Sequence, residues 1–202
     1  SSERLDALEM NRQATLAESL LAEARKLDRV ATDLLTQRRT LGASGRIAEI
    51  DALMTRFAND YPHSKLSDEG LGKKYTFLMT IRADLRGLQD EFYDQLVPLR
   101  NDESRMIMRT TVDQATYVQL MRFNPSKNRG DEQPVDSVNW IDAQEFAHRL
   151  GWVLGRNVRL PSATVIQQAK DEAAIESNNM AEWLEAKAMS KIAPVWSAPG
   201  ET

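Results

Sequence analysis

A stripe of large apolar residues at three- and four-residue steps, Leu78, Ile81, Leu85, Leu88, Phe92, Leu96 and Leu99, runs through the first half of the chain and then stops. Such spacing holds apolar side chains on one face of a helix and comes close to a heptad. The same rhythm appears earlier in Leu16, Leu20, Leu27, Leu34 and Leu41, with Ala24, Val30 and Ala31 between them. It predicts one long amphipathic helix from Ser2 to about Leu41. Gly42-Ala43-Ser44-Gly45 breaks that helix, because glycine favours left-handed turns and weakens helix interiors. A second helix carries Ile47, Ile50, Met54 and Phe57 and fails by Tyr61-Pro62, since the residue before proline is pushed out of the helical region. Ser67-Asp68-Glu69 offers capping chemistry for a third helix reaching Leu99.

Each of these helices has one apolar face to bury, so the expected solution is an antiparallel hairpin or three-helix bundle. At about 1.5 Å of rise per residue the first and third helices each span on the order of 50 Å. Two uses suit such a shape. It is a stalk that holds something at a distance, or a coiled coil that binds a partner, including a second copy through helices 3–41 and 67–99.

After Arg100-Asn101-Asp102-Glu103 the pattern changes. A β-like segment, Met106 to Val112, leads into a short helix from Asp113 to Met121. The loop Asn124 to Asp131 is dense in turn formers. Ile141 to Leu150 reads as a helix with Ala143, Phe146, Ala147 and Leu150 on one side, and Gly151 and Gly155 as a hairpin or turn before a strand at Arg159. The expected fold class is therefore α+β, with a helical domain over residues 1–100 and a smaller mixed domain over 101–202.

Composition narrows the function classes. The chain has 202 residues, 42% hydrophobic and 28% charged, with a formal net charge of -4. That is the profile of a folded soluble chain, and its arginines interleave with acids instead of forming the basic face that nucleic acid requires. No stretch reaches the apolar length of a membrane span. A start at Ser1-Ser2-Glu3 is compatible with a signal or anchor upstream. With no cysteine, disulfides, thiolate zinc sites and thiol nucleophiles are excluded together.

Several ordered signatures lie in the second half. Thr111-Val112-Asp113-Gln114-Ala115-Thr116-Tyr117 is followed by Asn124-Pro125-Ser126 and by Gln133-Pro134-Val135-Asp136-Ser137-Val138-Asn139-Trp140-Ile141-Asp142-Ala143. Then come Phe146, Leu150, Val158-Arg159-Leu160-Pro161 and Asn179-Met180-Ala181-Glu182-Trp183. In order and spacing this run resembles the formylglycine-generating-enzyme (sulfatase-modifying-factor) family, whose fold is a variant of the C-type-lectin fold. The resemblance assigns structural roles to Tyr117, Pro134, Val135, Trp140, Ala143, Arg159, Leu160, Pro161, Asn179, Glu182 and Trp183. On the residues themselves, Trp140 is placed to staple a Val135/Val138 strand to the following helix, which Asp142 helps to cap. Arg159, next to a strand end, suits bridging of carbonyls or a carboxylate.

The departures from the family carry the functional expectation. Its activating members use a pair of cysteines to bind copper, and soft thiolates are what select monovalent copper; this chain has none. The glycine- and arginine-rich strand that normally closes the domain is also missing, so the domain is minimal or is completed by a partner. A related branch, the sulfoxide synthases, holds non-haem iron with three histidines, whereas only His63 and His148 occur here. No nucleophile elbow and no phosphate-cradling loop is present. The expectation is a protein without catalytic residues, cofactor or metal: a pseudoenzyme-like scaffolding module of a bacterial envelope or periplasmic, secretion-associated assembly, with a protein partner and with the cytoplasm as the alternative location. Two alternatives stay open, a glycan or small-ligand binder and a cryptic iron enzyme. Trp152, Arg156 and Trp196 are the candidate binding residues, since aromatics with arginine are enriched at binding hot spots.

Overall fold

The computed structural model describes residues 2–37, 52, 55, 70–100, 102–175, 182–183 and 196–197. The expected break at 42–45, the second helix over 47–57, His63 and Asn179 lie outside the described residues. Those that are described form a helix-rich α+β chain with small two-stranded antiparallel sheets. They belong to two compact units, one made of Ser1–Arg86 with Trp152–Arg156 and the other of Gly87–Gly151 with Asn157–Thr202.

In the first unit, α1 (Ser2–Gln37) follows its apolar stripe. Ala24, Ala31, Leu34 and Leu35 are buried. Toward the other end burial ceases: Leu5 is 68% exposed, Leu8 63% and Met10 71%. Residues from Glu3 to Glu23 whose surroundings are described are exposed, apart from a half-buried Leu21. α2 (Leu71–Ile81) begins at Gly70, which sits in the left-handed region at φ 79, with no side-chain cap. The expected capping residues Ser67–Glu69 lie outside the described residues.

α1 and α2 are tied by a polar contact. Lys74 is only 8% exposed, and its Nζ donates to Asp28 Oδ1 at 2.7 Å and to Thr32 Oγ1 at 3.1 Å. The Tyr75 hydroxyl donates to the same Asp28 oxygen at 2.9 Å. Burial, reinforced by the Asp28 carboxylate, holds the Tyr75 phenol well above its usual pKa. Around this contact Tyr75, Phe77, Leu78 and Ile81 are buried, and Trp152 lies against Phe77 with ring centroids 5.8 Å apart. Gly155, at φ 62, presses directly on α1. A Cβ there would lie 2.7 Å from Thr32 O and 2.8 Å from both Leu35 Cβ and Thr36 Oγ1, and Thr36 Oγ1 donates to Gly155 O at 2.6 Å.

The third expected helix is corrected by the structure. α2 ends at Ile81, a turn closes from Asp84 N to Ile81 O, and α3 runs only from Leu85 to Gln95. Leu96–Leu99 is instead a strand, β1, antiparallel to β2 (Asp102–Met108). Pro98 explains the switch, because proline has no N–H to continue a helix. Arg109 N donates to Gln95 O at 2.8 Å, so Leu96 and Pro98, opposite Met108 and Met106, fall at positions whose backbone groups point away from the ladder. A proline at such an edge position costs no sheet bond. The boundary placed at residue 101 accordingly falls between two paired strands, and the units part at Gly87.

In the second unit, α4 (Gln114–Met121), α5 (Trp140–Leu154), α6 (Ala163–Asp171), β3 (Glu182–Trp183) and β4 (Trp196–Ser197) follow; the last two pair antiparallel. β2 stops at Met108, short of the expected Val112, and the expected Val135/Val138 strand is reduced to a single bridge between Asp113 and Pro134. Nor is there a hairpin at 151–155. α5 continues through Leu154 because Val153 and Leu154 are buried and extend the Phe146, Leu150 stripe. Residues 157–161 are irregular, so Arg159 follows a loop and not a strand.

Two outcomes test this packing by chemical denaturation of the full chain. Asp28→Ala leaves the Lys74 charge buried without its partner and lowers stability by about 2–4 kcal/mol, while Asp28→Leu with Lys74→Met recovers most of the loss. Gly155→Ala costs roughly 2–4 kcal/mol, since the left-handed conformation and the clash with α1 act together.

Candidate functional site

The first turn of any helix leaves backbone N–H groups without partners inside the helix. In α4 these donors hold a long loop. Asp113, in extended backbone, caps the helix by accepting from Thr116 N at 2.7 Å. Gln114 N donates to Gln133 O at 2.9 Å, and Ala115 N to Asp131 O at 3.1 Å. Val135 N donates to Val112 O at 2.9 Å, which extends the zip past the helix start.

The Gln114 side chain completes the attachment. It is 1% exposed, and its Nε2 donates to Asn128 O at 2.8 Å and Pro134 O at 3.4 Å. Its Oε1 accepts from Asn124 Nδ2 at 2.8 Å and from Gly130 N at 3.2 Å. An amide has two donors and two acceptor sites, and all are used on one loop.

A second knot lies at the loop's far side. Asn124 Oδ1 accepts from Ser126 N at 3.0 Å, a side-chain turn set by Asn-Pro-Ser. Ser126, 3% exposed, accepts at Oγ from Asp136 N at 3.0 Å. Asp136 Oδ1 accepts from Lys127 N at 3.1 Å and Ser137 Oγ at 2.7 Å. The Ser137 hydroxyl, then the Lys127 backbone N–H, hold the Asp136 carboxyl below its usual pKa. Ser137 sits at φ 60, a strained position for a residue with a Cβ. The result is a backbone fixed from 124 to 136 whose side chains Lys127, Asn128, Arg129, Asp131, Glu132 and Gln133 are exposed.

Beneath the loop is an aromatic stack. Tyr117, 1% exposed, lies flat on Phe146 with centroids 5.6 Å apart at 7°. Phe123 meets Tyr117 edge-on at 5.7 Å and 87°, and Phe92 meets Phe146 at 6.5 Å. Burial, then the Asp142 carboxylate, push the Tyr117 phenol up to about 12, with Arg149 pulling the other way. Arg149 clamps the helices, its Nε donating to Glu145 at 2.8 Å and its Nη1 to Leu120 O at 2.8 Å. The loop re-enters α5 through a reciprocal cap: Asn139 Oδ1 accepts from Asp142 N at 2.8 Å, and Asn139 Nδ2 donates to Asp142 Oδ2 at 2.7 Å.

The residues singled out from sequence fall as follows. Tyr117 and Ala143 are buried, Pro134 and Val135 stitch the loop to the start of α4, and Leu160 and Pro161 are half-buried before the Ser162 cap of α6. Trp140 is the first residue of α5 and half-buried. Among the described residues its buried Nε1 has no acceptor. Arg159 is exposed. Of the candidate binding residues, half-buried Trp152 and exposed Arg156 belong to the first unit. Trp196 belongs to the second, where only its strand backbone is described, as for Glu182 and Trp183. The residues that hold the loop, Gln114, Asn124, Ser126 and Asp136, were not singled out; an amide in a helix's first turn followed by Asn-Pro-Ser is the signal that could have found them.

His148 is exposed on α5, and among the described residues no three of His, Cys, Asp and Glu gather as a metal-holding group. The chain contains no cysteine and so offers no thiolate ligand. No family model, curated protein or solved structure matches the chain.

Gln114→Ala removes four hydrogen bonds to the loop and lowers stability by about 2–4 kcal/mol, with faster hydrogen exchange at the Gly130 amide as the local readout. The Asp136 contribution follows its depressed pKa: it is present above the unfolded carboxyl value of about 3.9 and is lost as pH falls through the lower folded value. Exchange at the Lys127 amide accelerates over that acid range, and Asp136→Asn removes the dependence.

Proposed function

We propose that this chain is a non-catalytic protein-binding module whose recognition element is the loop between α4 and α5. The observation that carries this is the Gln114 side chain, which spends its whole hydrogen-bonding capacity on the loop, on three backbone groups and the Asn124 amide, while Lys127, Arg129, Asp131 and Glu132 are exposed. A loop ordered in advance gives up little conformational freedom on binding, so its contacts translate into affinity. The hydroxyls and carboxylate nearest to it, Ser126, Ser137 and Asp136, are engaged in hydrogen bonds within the loop itself.

The second unit is read as a formylglycine-generating-enzyme-like domain without that family's thiolates. Support comes from the order of a capped helix at Asp113, the Asn124-Pro125-Ser126 loop, a helix opening at Trp140 and a helix opening after Pro161. The envelope or secretion-associated setting is proposed with it, and α1 is read as the stalk that carries the module.

A photo-reactive phenylalanine analogue at Asn128, in cells that make the protein, tests this reading. A cross-link to one protein, absent when the probe stands at exposed Arg82, is the expected result. Cross-linking to no protein, attachment to a glycan, stoichiometric iron or copper in protein purified without chelator, or oxidation of a cysteine-containing peptide would each overturn it.

A further inference from the structure

The loop's two arms carry opposite charge. Residues 122–130 contain Arg122, Lys127 and Arg129 and no acid, while residues 131–136 contain Asp131, Glu132 and Asp136 and no base. The Lys127 charge adds to the Ser137 and backbone hydrogen bonds that hold the Asp136 carboxyl ionised. Arg129 is used differently. Its Nη1 donates to Asn124 O at 3.1 Å, which fixes the guanidinium at the entry of the loop, and the residue is otherwise exposed.

Next in the chain to that anchoring carbonyl is Phe123, 43% exposed. A half-exposed phenylalanine is commonly free to change rotamer, but this ring is backed edge-on by Tyr117, which is itself stacked on buried Phe146. A held guanidinium and a held aromatic ring therefore stand at one end of the loop, with part of the planar fork's donor set unspent. Arginine with an aromatic ring is the pairing enriched at the energetic centres of protein interfaces. The fork matches a carboxylate, and the ring supplies apolar cover that strengthens such a contact.

Polyanions suit this place poorly. Asp131 and Glu132 are exposed on the returning arm, and the chain's net charge is -4, so successive phosphates would meet repulsion after the first contact. A single carboxylate, with one charge to bring past the same acids, meets much less of it.

We propose that Arg129 and Phe123 together anchor one aspartate or glutamate side chain, flanked by a large apolar residue, on an extended segment of a partner protein. This rests on the loop being the recognition element, and it adds the chemistry of what is recognised.

The test is selection of random linear peptides displayed on phage against the full chain, followed by binding of the selected peptides as synthetic material. Selected sequences share an acidic residue beside Leu, Ile or Phe. Replacing that acid by its amide weakens binding about tenfold or more, as does Arg129→Ala. Phe123→Ala weakens it as well, Arg129→Lys restores only part of the loss, and Lys170→Ala on α6 leaves it unchanged. Thermal melts of the variants, expected within a few degrees of the parent, separate lost contact from lost fold. Failure to enrich any sequence, enrichment of sequences without acids, or binding that Arg129→Ala leaves intact would overturn the anchor. If the probe at Asn128 still captured one protein, the anchor alone would fall and the module would stand.

Discussion

The start of α4 is the constraint on which the second unit depends. Helix ends always leave backbone donors to be satisfied, and here those of Gln114 and Ala115 are spent on carbonyls of a loop that is distant in sequence from the helix's own cap. The capping of a short helix and the ordering of a long loop thus become one event. Gln114 makes that coupling strong, because a buried amide that lost its loop would keep both of its polar ends without partners. The aromatic stack of Tyr117 on Phe146 then fixes α4 against α5, so the two ends of the loop are anchored on packed helices.

The first unit is organised by a different principle. Its buried cation and carboxylate, Lys74 and Asp28, add little net stability compared with well-packed apolar groups. Their effect is on register. The Asp28 oxygen receives both the Lys74 ammonium and the Tyr75 hydroxyl, so a slide of α2 along α1 would break two charge-assisted bonds at once. Gly155 fixes a third point, since its missing side chain admits the backbone of α1.

Much of the fold was legible because amphipathic periodicity reports burial directly. The stripes over α1, α2, α3 and α5 follow from residue type and spacing, whereas α6 and its Ser162 cap have no counterpart in the sequence reading. The end of the third helix was not legible from its stripe: Leu96 and Leu99 fit a helix as well as a strand, and only Pro98 and the pairing with β2 decide between them. Trp152 to Leu154 misled in the opposite direction, because two glycines outweighed an apolar run that belonged to the preceding helix. The loop's order was the hardest to read. Gln114, Asn124 and Asp136 are polar residues whose partners lie ten to twenty positions away, and hydrogen bonds of that reach leave no periodic trace in a sequence.

The outer turns of α1 have a further consequence. From Glu3 to Ser19 every side chain whose surroundings are described is exposed, and contacts such as the Glu9–Arg12 pair are local to the helix. Exposed helical turns that draw on local contacts lie near the midpoint between helix and coil in water. The long rod therefore has a graded stiffness, firm where Ala24 and Leu35 are enclosed and easily unwound toward Ser2, so that any load or neighbour applied at that end would meet a yielding element before a rigid one.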